Sequence, residues 1–511
     1  MEIEWMRENM ETEQVIAAKP SQITVETEAA LPGGLREEAR VLYADAAASV
    51  SGGEWTGGRI TADGKVIFHV LYAQGDMDRV RALETSADFA HALTVEDGGG
   101  APGAARIRPR AEVVSVSAKA FNGRLLLKAL LSLTAEAAAP RTVNCIQSAA
   151  EEGGVQRLDQ TVTVERTVGE GEGQTLLREE FSLSDVLQIT ETLYAAAQAQ
   201  VEDILGGADG RATVTGTIRL EAWHASDMPG RPLVNTRHTM PFEQAVNLSG
   251  ALGDALTARS EVRDVAVLSQ ENEDGSRVMR AEVQLYSEIT AVGTGEETIL
   301  RDVFTTQGDA VSTQTETISY RSGTVNEQSD APVRAVMILE GGAPRVKTAL
   351  SGFVRPILTA ARSENGQLTA EGVMELTLIY LTDDSDAVLS AQAETPFRAA
   401  FATAAGPEDH LQLTAGEVEL SALTGDRVEF RCQARLSAEG VRQSTVAVIT
   451  QAETAPAPAQ EKGISLYYVQ PGEGVWDIAK RYRTPLSEIK ALNPQLPDQP
   501  PAGTAVITYQ R

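Results

Sequence analysis

The residue types that most often carry chemistry are sparse in this chain of 511 residues. Its five histidines, His69, His91, His224, His238 and His410, are scattered along the sequence. None stands at a metal-ligand spacing or forms a triad with a nucleophile. Cys145 and Cys432 are too few for a disulfide framework and too far apart for a metal pair, so both read as reduced thiols. No Gly-x-Ser-x-Gly elbow, Cys-x-x-Cys pair or His-Glu-x-x-His helix occurs. Gly169-Glu170-Gly171-Glu172-Gly173 has the glycine density of a phosphate loop, but it lacks a lysine and sets two carboxylates where phosphate would sit. It predicts a flexible lead-in to a strand. Asp383-Asp384-Ser385-Asp386 lacks the glycine and glutamate of a calcium loop and matches the position of Asp76 and Asp78 earlier in the chain, so a solvated hairpin is expected. The expectation is a protein with no catalytic residue, no metal and no cofactor.

Composition narrows the classes further. Hydrophobic residues make up 42% and charged residues 23% of the chain, as in globular proteins. No apolar run approaches the roughly 20 residues of a membrane-spanning helix. The start, Met1-Glu-Ile-Glu-Trp-Met-Arg-Glu-Asn-Met10, lacks the basic and apolar regions of a secretory signal, which predicts a cytosolic protein. A net charge of −28 excludes the basic face that nucleic acid requires. The residues from 464 onward carry five bases and four acids, a net of +1, so the other 463 residues carry −29.

The elements that must position any site repeat three times. Gly64-Lys-Val-Ile-Phe-His-Val-Leu-Tyr72, Gly216-Thr-Ile-Arg-Leu-Glu-Ala-Trp-His224 and Gly372-Val-Met-Glu-Leu-Thr-Leu-Ile-Tyr380 alternate with period two, as half-buried strands do. Phe89, Phe242 and Phe397 follow at a near-constant offset. Each copy then has a Glu-Val step and a turn, at Asn122-Gly123, Asp274-Gly275 and Thr424-Gly425; the first two suit type I′ hairpins. Leu42-Tyr43-Ala44 and Leu193-Tyr194-Ala195 extend the likeness between the first two copies. The strand from Val428 to Leu436 places Cys432 in a core. His224, standing where the other copies have tyrosine, reads as a structural histidine bonded to backbone. Trp223 reads as exposed unless a neighbouring domain covers it.

The fold class expected is mainly β, with three tandem antiparallel, sandwich-like repeat domains and a small βααβ domain at the C-terminus. The boundaries read as an N-terminal segment 1–18, β domains at 19–145, 155–295 and 315–450, a Pro/Ala linker at 452–463, and a final module at 464–511.

That module runs Tyr467-Tyr468-Val469-Gln-Pro-Gly472-Glu473-Gly474-Val475-Trp476-Asp477-Ile478-Ala479, then Leu486, Ile489 and Leu492 at helical spacing before Asn493-Pro494-Gln495-Leu496, and ends in Val506-Ile507. It resembles a LysM domain. The resemblance implies a structural set of Tyr468, Val469, Trp476, Ile478 and Ala479, with Trp476 as the hydrophobic anchor. It also implies a shallow groove between Gly472, Glu473, Gly474, Val475 and Asn493, Pro494, Gln495, Leu496. In that family the groove binds N-acetylglucosamine polymers, including peptidoglycan. Gly474 replaces the family's threonine and removes its hydroxyl, which shifts the expectation from glycan toward protein.

Over nearly the whole chain, the three β repeats, the Val168-to-Gln174 segment and the terminal LysM together resemble the SPOCS-domain spore coat morphogenetic proteins of spore-forming Firmicutes. The resemblance implies a non-catalytic coat scaffold in the mother-cell cytosol at the forespore surface. Its implied partner is the coat-basement ATPase, stage IV sporulation protein A, bound through the LysM module. A cell-wall or cortex protein that binds peptidoglycan glycan is the alternative.

Overall fold

A computed structural model of the chain describes residues 3–32, 39–56, 58–74, 79–95, 105–149, 154–183, 185–271, 277–307, 309–456 and 463–510. Its strands follow one plan three times over. The first repeat contains β1 (Trp5–Ala17), β2 (Ser21–Ala30), β3 (Arg40–Thr56), β4 (Arg59–Gln74), β5 (Arg79–Thr94), β6 (Arg106–Phe121) and β7 (Arg124–Ala149). The second contains β8 (Val155–Ser182), β9 (Ile189–Gly206), β10 (Arg211–Ser226), β11 (Leu233–Asn247), the short β12 (Ser249–Gly250), β13 (Ala255–Glu271) and β14 (Arg277–Thr305). The third contains β15 (Ala310–Ile338), β16 (Val346–Glu364), β17 (Gln367–Thr382), β18 (Val388–Ala402), β19 (His410–Thr424) and β20 (Arg427–Ala455). The tail is β21 (Gly463–Tyr468), α1 (Val475–Tyr482), α2 (Leu486–Leu492) and β22 (Ala505–Gln510).

Each repeat has two antiparallel sheets. The middle three strands form a meander: β3-β4-β5, β9-β10-β11 and β16-β17-β18. The closing hairpin pairs with the opening strand, in the orders β6-β7 with β1 and β2, β13-β14-β8 and β19-β20-β15. The alternating apolar faces of the two sheets meet as a sandwich core, with Phe68, Tyr72, Leu127 and Leu131 in the first repeat and Leu376, Tyr380, Phe401 and Phe430 in the third.

The recurring glycine and phenylalanine are directly opposed across the central hairpin of each meander. The partners are Gly64 with Phe89, Gly216 with Phe242 and Gly372 with Phe397. A Cβ on these glycines would stand 2.2, 2.0 and 2.0 Å from a carbonyl oxygen of the other flanking strand, and within 2.5 to 2.8 Å of the phenylalanine ring. The ring covers the gap that the missing side chain leaves. That pairing fixes the register and explains the constant offset.

Several boundaries move outward from the sequence reading. Residues 5–17 are not a separate segment; they pair with Glu136–Ala149 as the first strand of the first repeat. The second repeat continues through Thr305, the third starts at Ala310, and β20 runs through Ala455 into the expected linker. These extensions are rich in threonine, glutamate and glutamine, and they pair where period-two hydrophobicity fades. Residues 457–462 of the linker, the Asp274-Gly275 turn, and Asp76 and Asp78 lie outside the described residues. Asn122-Gly123 forms the expected turn with both φ values positive, 48° and 73°.

The three repeats close on one another in a ring, each touching the other two through these long strands. Met10 and Cys145, Val162 and Ile299, and Ile318 and Val448, two from each repeat, share one apolar cluster. At the meanders a second cluster joins Leu71, Trp223 and Ile379. There Tyr43 stacks on Phe353 at 3.6 Å between ring centroids, and Tyr194 on Trp223 at 5.0 Å. Trp223 is thus buried between repeats, its indole N–H donating to the Ser351 hydroxyl at 2.7 Å.

The Gly169-to-Gly173 segment lies inside the 28-residue strand β8 and is not a lead-in. Added Cβ atoms at Gly169 and Gly171 would stand 2.2 and 2.3 Å from the carbonyl oxygens of Ala251 and Asn247, so glycine admits a crossing backbone there.

Candidate functional site

The tail is the one region with a motif-level reading, and its geometry separates the structural residues from the available ones. Its interior holds Val469, Val475, Ile478, Ala479, Ile489 and Val506, and among the described residues the fully buried aromatic ring that joins them is Phe304, from the end of β14. Trp476, expected to anchor this core, is half-buried at the boundary. Its ring meets Phe304 edge-on at 4.9 Å, and its Nε1 donates to Asp302 Oδ2 at 2.8 Å. Lys480 Nζ lies 2.6 Å from Asp302 Oδ1, Arg483 Nε donates to the Thr305 carbonyl at 3.0 Å, and the Leu486 amide donates to Gln156 at 3.3 Å. The tail is therefore docked on the tip of the second repeat by α1 and the turn that follows it. Trp476 closes the joint.

The expected groove residues divide in the same way. Val475 is buried in the core, with its amide donating to the Asp498 carbonyl at 3.0 Å. Gly474 is the N-cap of α1 with no side-chain cap; Asp477 Oδ2 accepts from its amide at 2.8 Å. Glu473 Oε2 accepts from the Tyr467 hydroxyl at 2.7 Å and the Gln470 amide at 2.9 Å, and Oε1 pairs with Arg481 at 2.6 Å. Asn493 donates to the carbonyls of Ile489 and Ile507 and accepts from the Ile507 amide, all at 2.8 to 2.9 Å, so its amide pins β22 to α2. Leu496 is half-buried against the tail core. Gly472, Pro494 and Gln495 remain exposed. Of the polar side chains in the expected groove, Glu473 and Asn493 are bonded within the tail, and Gln495 is exposed.

A different surface is exposed among the described residues. β21 and β22 form a two-stranded sheet whose inner face covers the helices through Val506 and the half-buried Tyr467. Its outer face carries Ile464, Leu466 and Tyr468 opposite Tyr509, Ile507 and Ala505, with Leu492 of α2 also exposed. Ile464 is 77% and Leu466 57% accessible, high for such side chains in a strand. The signal was present in the sequence: Leu466 to Val469 is apolar at successive positions, so one face had to point outward.

Among the described residues the histidines and cysteines do not gather into a site. His224 is fully buried, bonded to the hydroxyls of Thr192 at 3.1 Å and Thr236 at 2.7 Å rather than to backbone, and burial pushes its pKa down to about 4. His91 meets Ser21, His238 meets Glu179 and His410 meets Glu112, each in a different place. Cys432 is buried, and burial pushes its thiol up to about 11. Among the described residues no group of three His, Cys, Asp or Glu side chains could hold a metal ion, and no helix is long and apolar enough to cross a membrane.

Residues 467–503 match the LysM domain family. No curated protein and no solved structure matches the chain.

Proposed function

We propose that this chain is a non-catalytic scaffold in which three fused β repeats carry a LysM binding module at a fixed position, and that the module captures a protein. The observation that carries this reading is the apolar outer face of β21 and β22, beside polar groove positions already bonded within the tail. The resemblance of the whole chain to SPOCS-domain coat proteins gives the finer reading. The chain works at the forespore surface in the mother cell, and its partner is the coat-basement ATPase of the stage IV sporulation protein A kind. The LysM match itself favours a second reading, in which the tail binds peptidoglycan glycan.

The full chain is the right reagent, because the tail's core includes Phe304 of the second repeat. Purified chain is tested for pull-down of the coat-basement ATPase and for co-sedimentation with peptidoglycan, alongside Leu466→Lys and Gln495→Ala. Protein capture predicts ATPase retention that Leu466→Lys abolishes and Gln495→Ala leaves intact. Peptidoglycan retention that depends on Gln495 and ignores Leu466 would establish the glycan reading instead.

A further inference from the structure

At the junction of the three repeats a cavity of about 920 Å³ is lined by parts of β3, β6, β8, β13, β14, β15 and β20. Its walls include five arginines and six glutamates. Most of these charges are spent on one another. Arg108 lies 3.4 Å from Glu170 and 3.0 Å from Glu288, and Arg321, almost fully buried, holds Glu13 of the first repeat at 3.0 Å and Thr167 of the second at 3.0 Å.

Arg110 is different. Its side chain is only 10% exposed, one nitrogen donates to Glu439 at 2.6 Å, and Nε and Nη1 are buried with no hydrogen-bond partner. Unmet guanidinium donors are costly inside a protein, where a charged group left short of partners loses its hydration without replacement. Arg259 lies 3.4 Å from Glu261 and 3.9 Å from Glu439, and Arg263 reaches Glu261 at 3.3 Å with its guanidinium over the Tyr286 ring at 3.7 Å. On this side of the cavity the guanidiniums of Arg110, Arg259 and Arg263 stand beside the carboxylates of Glu261 and Glu439, while Glu172 accepts from the Tyr286 hydroxyl at 2.7 Å. Glu112, next along the same face of β6 but outside the cavity lining, has its Oε1 3.1 Å from His410 Nε2 without hydrogen-bond geometry. Burial pushes the Glu439 carboxyl upward, but the charges of Arg110, Arg259 and His410 outweigh it and hold the group below its usual range.

We propose that the junction cavity is a binding site for a small anion, a carboxylate- or phosphate-bearing molecule, with Arg110 as its main donor and Arg259 and Arg263 beside it. Ser49, Ser51, Thr257 and Asn326 elsewhere in the lining offer partners for hydroxyl or amide groups on the same ligand. The volume suits a molecule of metabolite size. Because all three repeats contribute walls, occupancy would also fasten the ring.

Isothermal titration of the full chain with inorganic phosphate and, separately, with citrate at constant ionic strength tests the site. Saturable one-to-one binding of either anion is expected, and the better ligand identifies the preferred group. Arg110→Met should weaken it at least about tenfold, the loss of one charge-assisted hydrogen bond. Arg110 also partners Glu439, so Arg263→Gln, on the more accessible edge, gives an independent reading if circular dichroism shows that Arg110→Met is unfolded. No saturable binding of either anion, or unchanged affinity in whichever of these variants is folded, would overturn the proposal.

Discussion

The three repeats and the tail differ in how much of their interior they supply themselves. Each repeat encloses a sandwich core from its own strands, with aromatic rings such as Phe68, Phe242 or Phe430 at the centre. The tail's core gathers six of its own aliphatic side chains, with no fully enclosed ring of its own, and completes them with Phe304 from the repeat beside it. A domain this small buries too little apolar surface to stand far above its unfolded state. The comparison teaches that the tail's fold and its orientation on the body are one event, stabilised by the same contact.

The sharpest way to break this comparison is to damage a repeat where it is most self-determined. In Gly372→Val the new Cβ meets the Ile357 carbonyl and the Phe397 ring, and backbone on both sides prevents escape. A loss of at least about 4 kcal/mol is expected from steric overpacking at a constrained position, read as a lowered urea midpoint for the body. A loss below about 1 kcal/mol would show that the glycine-phenylalanine pairs do not set the register.

Phe304→Ala probes the other side. The residue is nearly fully buried, and its removal should cost roughly 3 to 4 kcal/mol. The loss should fall on the tail: hydrogen exchange at the Ile478 and Ala479 amides should accelerate while the core strands of the third repeat keep their protection. Equal acceleration in both regions would mean that tail and body unfold as one unit.

How much of this was legible in the sequence follows from how local each determinant is. The glycine-phenylalanine offset could be read because both partners sit on one hairpin, and the tail's strands and helices because their spacing is local. Phe304 could not be read as part of the tail's core, because nothing in its own strand marks it as such; only the docking of α1 does. The same holds for Trp223, hidden by a neighbouring meander, and for Gly169 and Gly171, approached by the carbonyls of Ala251, just past β12, and Asn247, at the end of β11. The junction cavity was invisible for the same reason. Its arginines belong to strands of different repeats and look in sequence like solvated positions.

Acid separates the regions by a different route. His224 stays neutral in the folded body down to about pH 4, whereas the unfolded chain takes the proton near pH 6.5. Its effect is absent above pH 6.5. Below that, the unfolded state binds the extra proton and stability falls with decreasing pH, by on the order of 3 kcal/mol at pH 4. The tail contains no histidine. Urea unfolding from pH 7 to pH 4 should show this slope, and His224→Gln should flatten it whatever its effect at pH 7. An unchanged slope in that variant would move the acid sensitivity elsewhere.

The smallest expected effect tests the tail's ligand more than its stability. Gly474 caps α1 at φ −96°, a conformation open to any residue, and an added Cβ would stand 2.8 Å from Gln499 Nε2, the far end of a flexible side chain, and 3.2 Å from the Asp498 carbonyl oxygen, which must give by a few tenths of an ångström. Gly474→Thr should therefore fit, and a threonine N-cap should stabilise α1 by only about a few tenths of a kcal/mol over glycine. Asn493 and Glu473 would remain bonded within the tail, so restoring the hydroxyl alone should leave peptidoglycan retention unchanged. A clear gain in retention would mean that the missing threonine, and not the committed partners around it, had kept this tail from glycan, and the apolar sheet face would lose its place as the tail's working surface.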